Sequence, residues 1–307
     1  MKATRDSFGE EVVKLGEQNP NVVVLDADLS KSTKSIKFAQ KFPDRFFQMG
    51  IAESNMIGTA AGLALSGKIP FACSFGAFLT GRYDQIRMAV SYNRANVKLV
   101  GTHAGVAIGE DGHSQMGLED VAVLRSLPNM NIYQPADDEE TNQILRSMVE
   151  QAGPAYIRLT RQKLPKVYDS NYRFVPGKWN LHTKGSRVAL IGTGHLLHSC
   201  LEANAVLGGK FSVVNAASLK PVDTDLILSL ASSHELIVTA EDHYITGGLG
   251  SAVAEVLAEA GSRTRLRRIG LRTFGESGSP EDVLKHFQLD GPGVVTQLEK
   301  FLAEKTN

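Results

Sequence analysis

Residues 49–64 read MGIAESNMIGTAAGLA, and this stretch decides how the chain is interpreted. One carboxylate, Glu53, stands at the head of a run of small and apolar residues that has helical length. Removing a carboxylate from water without a partner is costly, so we expect Glu53 to be aimed at a binding partner. The spacing Gly58-x-x-x-Gly62 would allow another backbone to approach the predicted helix closely.

Composition and charge limit the class of protein. A chain of 307 residues is long enough for about two domains. The 33 basic residues balance the 33 acidic ones, which gives no indication of nucleic acid or of an anionic membrane as a partner. Cys73 and Cys200 are the only cysteines and lie far apart, which favours a reducing compartment over a disulfide framework. With no signal-peptide pattern and no apolar run of spanning length, we expect a cytoplasmic protein.

Strand-like and helix-like segments alternate along the chain, and this predicts an α/β fold with mostly parallel sheets flanked by helices. In the first half, the pattern predicts strands at 21–25, 69–74, 97–101 and 155–159. Helices are predicted between and after them, at 7–18, 54–65, 83–93, 118–125 and 138–151.

The alternation pauses at 161–186, which has few apolar residues and several prolines and glycines, and then restarts. The sequence therefore predicts two consecutive α/β domains, 1–165 and 186–307, joined by a linker at 166–185. Predicted strands of the second domain are 187–191, 211–215, 236–239 and 265–269; its predicted helices are 195–207, 223–233, 247–260 and 293–304.

Two kinds of glycine-rich segment are candidates for ligand binding. The turns at 191–195 (IGTGH) and 247–250 (GGLG) lack a complete dinucleotide or P-loop pattern, so tight turning is favoured over phosphate binding. The 103–120 segment, HAGVAIGEDGHSQMGLED, follows a predicted strand, where the ligand-facing loops of a parallel sheet lie. Its two histidines lack metal-ligand spacing, so a metal site is disfavoured, while a ligand-binding loop and a solvated loop both remain open.

An ordered set of short segments resembles the transketolase family over essentially the whole chain. Each segment is weakly specific alone, but their order is highly specific. They are 49–64, 74–79 (SFGAFL), 83–89 (YDQIRMA), 109–112 (GEDG), 118–120 (LED), 125–130 (RSLPNM), 160–162 (TRQ), 239–244 (TAEDHY) and 247–250 (GGLG).

The resemblance covers the pyrimidine-binding and C-terminal domains of a transketolase. A full transketolase also carries a diphosphate-binding domain with a Gly-Asp-Gly…Asn element, and neither 111–112 nor 290–291, the Asp-Gly pairs of this chain, opens such an element. The chain thus resembles the C-terminal subunit of a split, two-component transketolase. By that resemblance it uses thiamin diphosphate, with Mg²⁺ or Ca²⁺ bound mainly by a separate N-terminal subunit. It would form a dimer through the helix after Glu53, within an α2β2 heterotetramer.

The resemblance also assigns residues to the cofactor. Glu53 matches the acid that shares a proton with the aminopyrimidine ring and so activates the cofactor. Phe75 and Phe78 match the aromatic wall against that ring, while a third aromatic of many relatives aligns with Gly81. Ile51 and Asp28 match positions near the cofactor.

Further residues match positions that bind sugar phosphates, the substrates the resemblance implies. The phosphate-binding positions are matched by Arg5, Ser32, His103 and Arg161. Asp111 matches an acid that hydrogen-bonds a donor hydroxyl. At the position of Gln115, many microbial transketolases have a histidine, whereas animal-type enzymes have a glutamine as this chain does. A glutamine side chain can donate a hydrogen bond but cannot carry a proton.

The expected reaction is transfer of a two-carbon ketol unit from a ketose phosphate to an aldose, by default with the pentose phosphates xylulose 5-phosphate and ribose 5-phosphate. Three alternatives stay open. Two share these domains: 1-deoxyxylulose-5-phosphate synthase and the β subunit of a 2-oxo acid dehydrogenase. The third is a non-catalytic scaffold subunit that kept the fold.

Overall fold

The chain folds into two α/β units, each built on a largely parallel sheet. The structure is a computed structural model and describes residues 1–304; the end of the predicted second domain, 305–307, lies outside the described residues. Helices flank both sheets, so the predicted fold class is confirmed.

The first sheet has seven strands. Six of them run parallel, and one antiparallel strand closes an edge. In spatial order the strands are Ser218–Lys220, Asn131–Tyr133, Ala155–Arg158, Lys98–Thr102, Ile69–Phe75, Val22–Asp26 and Phe46–Gln48.

The second sheet has five strands, again with one antiparallel edge strand. Its spatial order is Arg265–Leu271, His234–Tyr244, Arg187–Gly192, Ser212–Asn215 and Asn180–Thr183. A separate short pair joins Lys2–Ala3 to Lys163–Leu164.

Helices connect these strands. The α-helices are Thr4–Gln18, Ser30–Thr33, Ile36–Lys41, Glu53–Leu65, Gly76–Thr80, Tyr83–Gln85, Asp120–Arg125, Asp138–Glu150, Leu196–Val206, Thr224–Ser233, Leu249–Glu259, Pro280–His286 and Gly291–Ala303. A π-helix spans Ile86–Tyr92, and 3-10 turns lie at Pro43–Arg45, Val106–Asp111 and His113–Gln115.

The sequence pattern missed short elements such as Phe46–Gln48, Asn131–Tyr133 and Pro280–His286. Three further differences concern segments that the pattern did describe or the way in which strands pair. The predicted helix 83–93 is a short α-helix followed by the π-helix Ile86–Tyr92, and periodicity cannot separate these two windings. The predicted linker contains the strand Asn180–Thr183, whose partly exposed edge position explains its lack of an apolar pattern. The strand Ser218–Lys220 follows the second domain's sheet in sequence but pairs with Asn131–Tyr133 in the first sheet.

The linker region is packed against both sheets. Trp179 is buried, and its indole N–H donates to the carbonyl oxygen of Ser218 at 2.7 Å. The amides of Val167 and Tyr168 both donate to Asp137 Oδ2 at 2.7 Å. Since one buried apolar cluster includes residues from both sheets, the two halves pack as a single body.

Candidate functional site

The candidate residues lie together because they follow neighbouring parallel strands. Phe75 ends one strand, and His103 directly follows the next. Asp28 and Arg161 lie shortly after the strands on either side of that pair. The carboxyl ends of parallel strands meet at one edge of a sheet, and ligands of α/β proteins bind at that edge.

Glu53 lies at the start of a helix and faces a cleft. It is the first residue of the helix Glu53–Leu65, where the helix dipole favours negative charge. Its side chain is buried, and Ser74 Oγ donates to its Oε1 at 3.3 Å. The cleft has a volume of about 370 Å³ and is lined by Glu53, Ala27, Asp28, Leu29, Ile51, Phe78 and Arg82.

Three rings form a stack that leads from this cleft to His103. The Phe75 and Phe78 ring centroids are 5.4 Å apart with planes inclined by 13°. Phe75 also stacks on the His103 imidazole, with ring centroids 3.9 Å apart. Phe78 lines the cleft, so a flat ring bound there would meet an aromatic surface beside a carboxylate.

A cluster of cationic groups surrounds His103. Arg5 Nη1 donates to the carbonyl oxygen of Ser32 at 3.1 Å and lies 2.6 Å from His103 Nε2. Burial lowers the pKa of Arg5, and the nearby Arg161 charge lowers it further. Among residues 1–304, Arg5 Nε is buried without a hydrogen-bond partner. We use the name cationic cluster for the two arginines, Arg5 and Arg161, together with the uncharged residues Ser32 and His103.

The hydrogen bonds of His103 define a neutral ring. Arginine can only donate, so His103 Nε2 accepts from Arg5, and Nδ1 is left to donate to Thr102 Oγ1 at 2.8 Å. Burial lowers the pKa of His103 to about 3, helped by the charges of Arg5, Arg161 and Lys34. The positive charge beside His103 therefore comes from Arg5, Arg161 and Lys34, while the histidine itself is uncharged at neutral pH.

We predict that the His103 imidazole stays neutral from pH 8 down to pH 5 in the isolated chain, since its pKa is lowered to about 3. NMR of chain labelled at histidine, with His103→Gln used for assignment, measures this directly. In an Arg5→Ala variant the pKa should rise, because a repelling charge is removed. A His103 signal that titrates near its usual pKa in the wild-type chain would contradict the prediction.

Arg161 is held by two acids of the 103–115 loop. Its guanidinium lies 3.1 Å from Glu110 Oε2 and 3.3 Å from Asp111 Oδ2. All three side chains are partly exposed, so these pairs add little stability. An anionic ligand would compete with the carboxylates for Arg161, and Asp111 would then be free to accept a bond from a ligand hydroxyl.

The remaining predicted residues lie around this centre. Ile51 is 84% exposed at the mouth of the cleft, so it contributes surface there without being packed in this chain. Asp28 is exposed with a left-handed backbone, φ 64°, and its amide donates to Gln48 Oε1 at 2.7 Å. Gln115 is partly buried in the turn His113–Gln115 and, within residues 1–304, makes no side-chain hydrogen bond to the cationic cluster.

Asp26 is a structural residue of the site that the sequence did not single out. Its carboxylate accepts bonds from Thr33 Oγ1 at 2.7 Å, Ser35 Oγ at 2.8 Å and the Leu29 amide at 2.6 Å. These bonds fix the loop that carries Asp28 and Ser32. Burial raises the pKa of Asp26. The sequence does show an acid at a strand end followed by several hydroxyl residues. The hydroxyl groups that bind the Asp26 carboxylate are, however, seven and nine residues further along the chain, so the pattern did not identify them.

Arg82 and Lys34 were also missed, because each lies near the site only through the fold. Arg82 lines the cleft, and the charge of Lys34 acts on His103. Over residues 1–304, no group of three or more His, Cys, Asp or Glu side chains is placed to hold a metal ion. None of the helices in the same range is long and apolar enough to cross a membrane.

Two family models match the chain. The family model described as "Transketolase, pyrimidine binding domain" matches residues 1–167, and "Transketolase, C-terminal domain" matches residues 177–294. The chain belongs to the transketolase family. Membership confirms the resemblance seen in the sequence, and it supports a transferase role with thiamin diphosphate, the cofactor of the family.

Two relatives match this transketolase-family chain over nearly their whole length. A Methanocaldococcus jannaschii protein with the provisional name of transketolase C-terminal section is 42% identical, over 97% of this chain and 95% of that protein. A protein of Actinobacillus succinogenes, named as one of the subunits of an apulose-4-phosphate transketolase, is 34% identical, over 93% and 94%. Human transketolase is 38% identical over 94% of this chain, which spans 47% of that longer protein.

A solved structure described as "Split gene transketolase, inactive beta4 tetramer" superposes with a TM-score of 0.90. It is 42% identical and is covered over 98% of both chains. The Campylobacter jejuni transketolase, at 22% identity and a TM-score of 0.82, shows the same fold.

Proposed function

We propose that the chain is the C-terminal subunit of a two-chain transketolase. It would transfer a two-carbon ketol unit from a ketose phosphate to an aldose acceptor, in the cytoplasm, once joined by a separate N-terminal subunit. The observation that carries this proposal is Glu53, a buried carboxylate at a helix start that faces a cleft with an aromatic wall. We assign 1–165 to the pyrimidine-binding domain, 166–185 to the linker and 186–307 to the C-terminal domain.

The cleft fits the aminopyrimidine ring of thiamin diphosphate. Glu53 provides a hydrogen-bonding carboxylate, and Phe78, backed by Phe75, provides an aromatic face. Ile51 and Asp28 line the opening. When bound, thiamin diphosphate supplies the electron sink that ketol transfer requires.

The role of Glu53 is to share a proton with a ring nitrogen of the cofactor. The carboxyl group is buried at the first residue of a helix and lines the cleft in which the ring would lie. Ser74 Oγ, which donates to Oε1, fixes the side-chain orientation of Glu53.

The cationic cluster suits the anionic end group of a sugar. Arg5 and Arg161 supply forked donors, and neutral His103 lies against Arg5. Asp111 lies beside Arg161 and would accept a substrate hydroxyl. One relative is named as acting on apulose 4-phosphate and another, of a Clostridium species, on 6-deoxy-6-sulfo-D-fructose. We therefore include phosphorylated and sulfonated ketoses as donors in the substrate screen below.

Assembly with other chains follows from the same reasoning. The N-terminal subunit would hold the cofactor diphosphate and most ligands of Mg²⁺ or Ca²⁺. The helix Glu53–Leu65 offers a surface for a second copy, because a Cβ added at Gly58 or Gly62 would meet nothing within 4 Å. One structural relative is described as a β4 tetramer. We propose a dimer of this chain within an α2β2 heterotetramer.

Reconstitution tests the proposal. We expect the purified chain, with thiamin diphosphate and Mg²⁺, to show negligible ketol transfer, and we expect an added N-terminal subunit to restore it. The partner is sought as a neighbouring reading frame that encodes the diphosphate-binding element. The screen pairs xylulose 5-phosphate, a sulfonated ketose and pyruvate with aldose acceptors.

Robust turnover by the chain alone would refute the two-chain proposal. Decarboxylation of pyruvate by the pair, without ketol transfer, would instead assign it to 1-deoxyxylulose-5-phosphate synthase-like or 2-oxo acid dehydrogenase chemistry. Glu53→Gln, discussed below, separates a catalytic subunit from a scaffold.

A further inference from the structure

The 103–115 loop carries His103, Asp111 and Gln115, and it belongs to the first domain in sequence. Its apolar side, however, is buried in an apolar cluster made mostly of second-domain residues. Val106, Ala107 and Ile108 are buried in one apolar cluster with residues of the second sheet and its helices, including Leu271 and Val283. The loop therefore packs against a domain that supplies none of the candidate site residues.

One contact holds the beginning of the loop. The Val106 amide donates to Asp242 Oδ1 at 2.9 Å. Gly105 has φ +89°, and a Cβ there would lie 2.0 Å from Asp242 Oδ2, so the backbone approaches this carboxylate closely. Arg158 connects the domains at the same point, donating from Nη2 to the Asp242 carbonyl oxygen at 2.8 Å and from Nε to Asp120 Oδ2 at 2.9 Å.

A second set of contacts holds the far end of the loop, through residues 274–280 of the second domain. Ser277 Oγ donates to the carbonyl oxygen of Glu110 at 2.5 Å, next to Asp111. The Gly275 amide donates to His113 Nδ1 at 3.2 Å, and the Phe274 ring lies edge-on to His113 at 4.5 Å. These contacts bracket the part of the loop that carries Asp111 and precedes Gln115.

The backbone of the 103–115 loop also lies very close to the 274–280 segment. Gly109 has φ +81°, and a Cβ there would lie 2.9 Å from Pro280. A Cβ at Gly112, φ +76°, would lie 3.2 Å from Ser277 Oγ. Glycine at both positions lets the loop backbone turn directly against the 274–280 segment.

We propose that the second domain sets the position of the 103–115 loop, with Ser277 and Phe274 acting as positioning residues for substrate binding. The kinetic consequence rests on the function proposed above, because it assumes that the loop contacts a sugar phosphate. The restriction of loop motion by the second domain is a property of this chain alone, and it can be measured without turnover.

Hydrogen–deuterium exchange of the full chain measures how strongly the second domain restricts opening of the loop. In Ser277→Ala we expect amides of residues 105–116 to exchange roughly fivefold faster, as loss of one hydrogen bond to the loop predicts. Ser277→Thr, which keeps the hydroxyl, should restore the wild-type rate. Phe274→Ala removes a 72% exposed ring and gives a second variant that is expected to fold, with the same change in exchange. The matched control is Ser232→Ala, whose hydroxyl donates to the Ser229 carbonyl oxygen away from the loop.

Kinetics of the reconstituted pair measure the consequence. A looser loop weakens contacts made in both the bound ground state and the transition state, so Ser277→Ala should raise KM for the ketose phosphate roughly fivefold and leave kcat within about twofold. Unchanged exchange in both Ser277→Ala and Phe274→Ala would overturn the proposal. Faster exchange with an unchanged KM would overturn the positioning role. If the wild-type pair transfers no ketol group, the proposed function fails, and the exchange result still decides whether the second domain holds the loop.

Discussion

Replacing Glu53 with Gln is expected to lower kcat of the reconstituted pair roughly 10²- to 10⁴-fold, the range typical of a lost general acid–base group. Gln has the shape of Glu and can still accept the bond from Ser74 Oγ, so the geometry of the cleft is kept. What is lost is the ability to share a proton with the cofactor ring. Initial-rate measurements of ketol transfer with saturating cofactor give the comparison.

The stability of this variant should change little. Loss of a negative charge at a helix start costs roughly 0.3–1 kcal/mol, so a thermal melt should show a small shift at most. Glu259→Gln, at the exposed end of the helix Leu249–Glu259, is the matched control and should leave kcat unchanged. A Glu53→Gln pair that turns over at the wild-type rate would support the scaffold alternative and remove the basis of the proposed function.

Replacing Arg161 with Met should raise KM for a phosphorylated donor roughly 10- to 100-fold, as expected for losing charge-assisted hydrogen bonds to an anion. The effect should be much smaller for a donor without an anionic group, since the guanidinium would have nothing to bind. The exposed fraction of the Arg161 side chain, 34%, places the effect toward the lower end of this range.

A comparison of two donors makes this test specific to the anion. Lys163→Met, an exposed cation two residues away, controls for the general loss of positive charge. Equal losses for charged and uncharged donors would show that Arg161 supports the loop acids Glu110 and Asp111 and does not bind the phosphate.

Most of the fold could be predicted from the sequence because buried parallel strands leave short apolar runs between helices. The strands Val22–Asp26 and Lys98–Thr102 are fully buried, and their patterns are clear. Asn180–Thr183 and Phe46–Gln48 are edge strands with exposed residues, so their sequences carry no such run. The pairing of Ser218–Lys220 with the first sheet is non-local and leaves no trace in local periodicity.

The candidate site likewise has one part that local sequence predicts and another that depends on contacts between distant residues. A carboxylate before an apolar helix is a local signal, and it correctly located Glu53 at the start of a helix. The contact between Arg5 and His103 joins residues 98 positions apart, and only the family resemblance placed them together. The support of the 103–115 loop by Ser277 joins residues 167 positions apart and was not foreseen at all.

The strand Ser218–Lys220 has a consequence for how this chain could be divided. It belongs by sequence to the second half but completes the edge of the first sheet beside Asn131–Tyr133. A gene fission within 166–185 would separate strands of one sheet and leave an open edge on the first fragment, a surface prone to aggregation. Because the first sheet contains strands from both halves of the chain, we expect the two halves to unfold together.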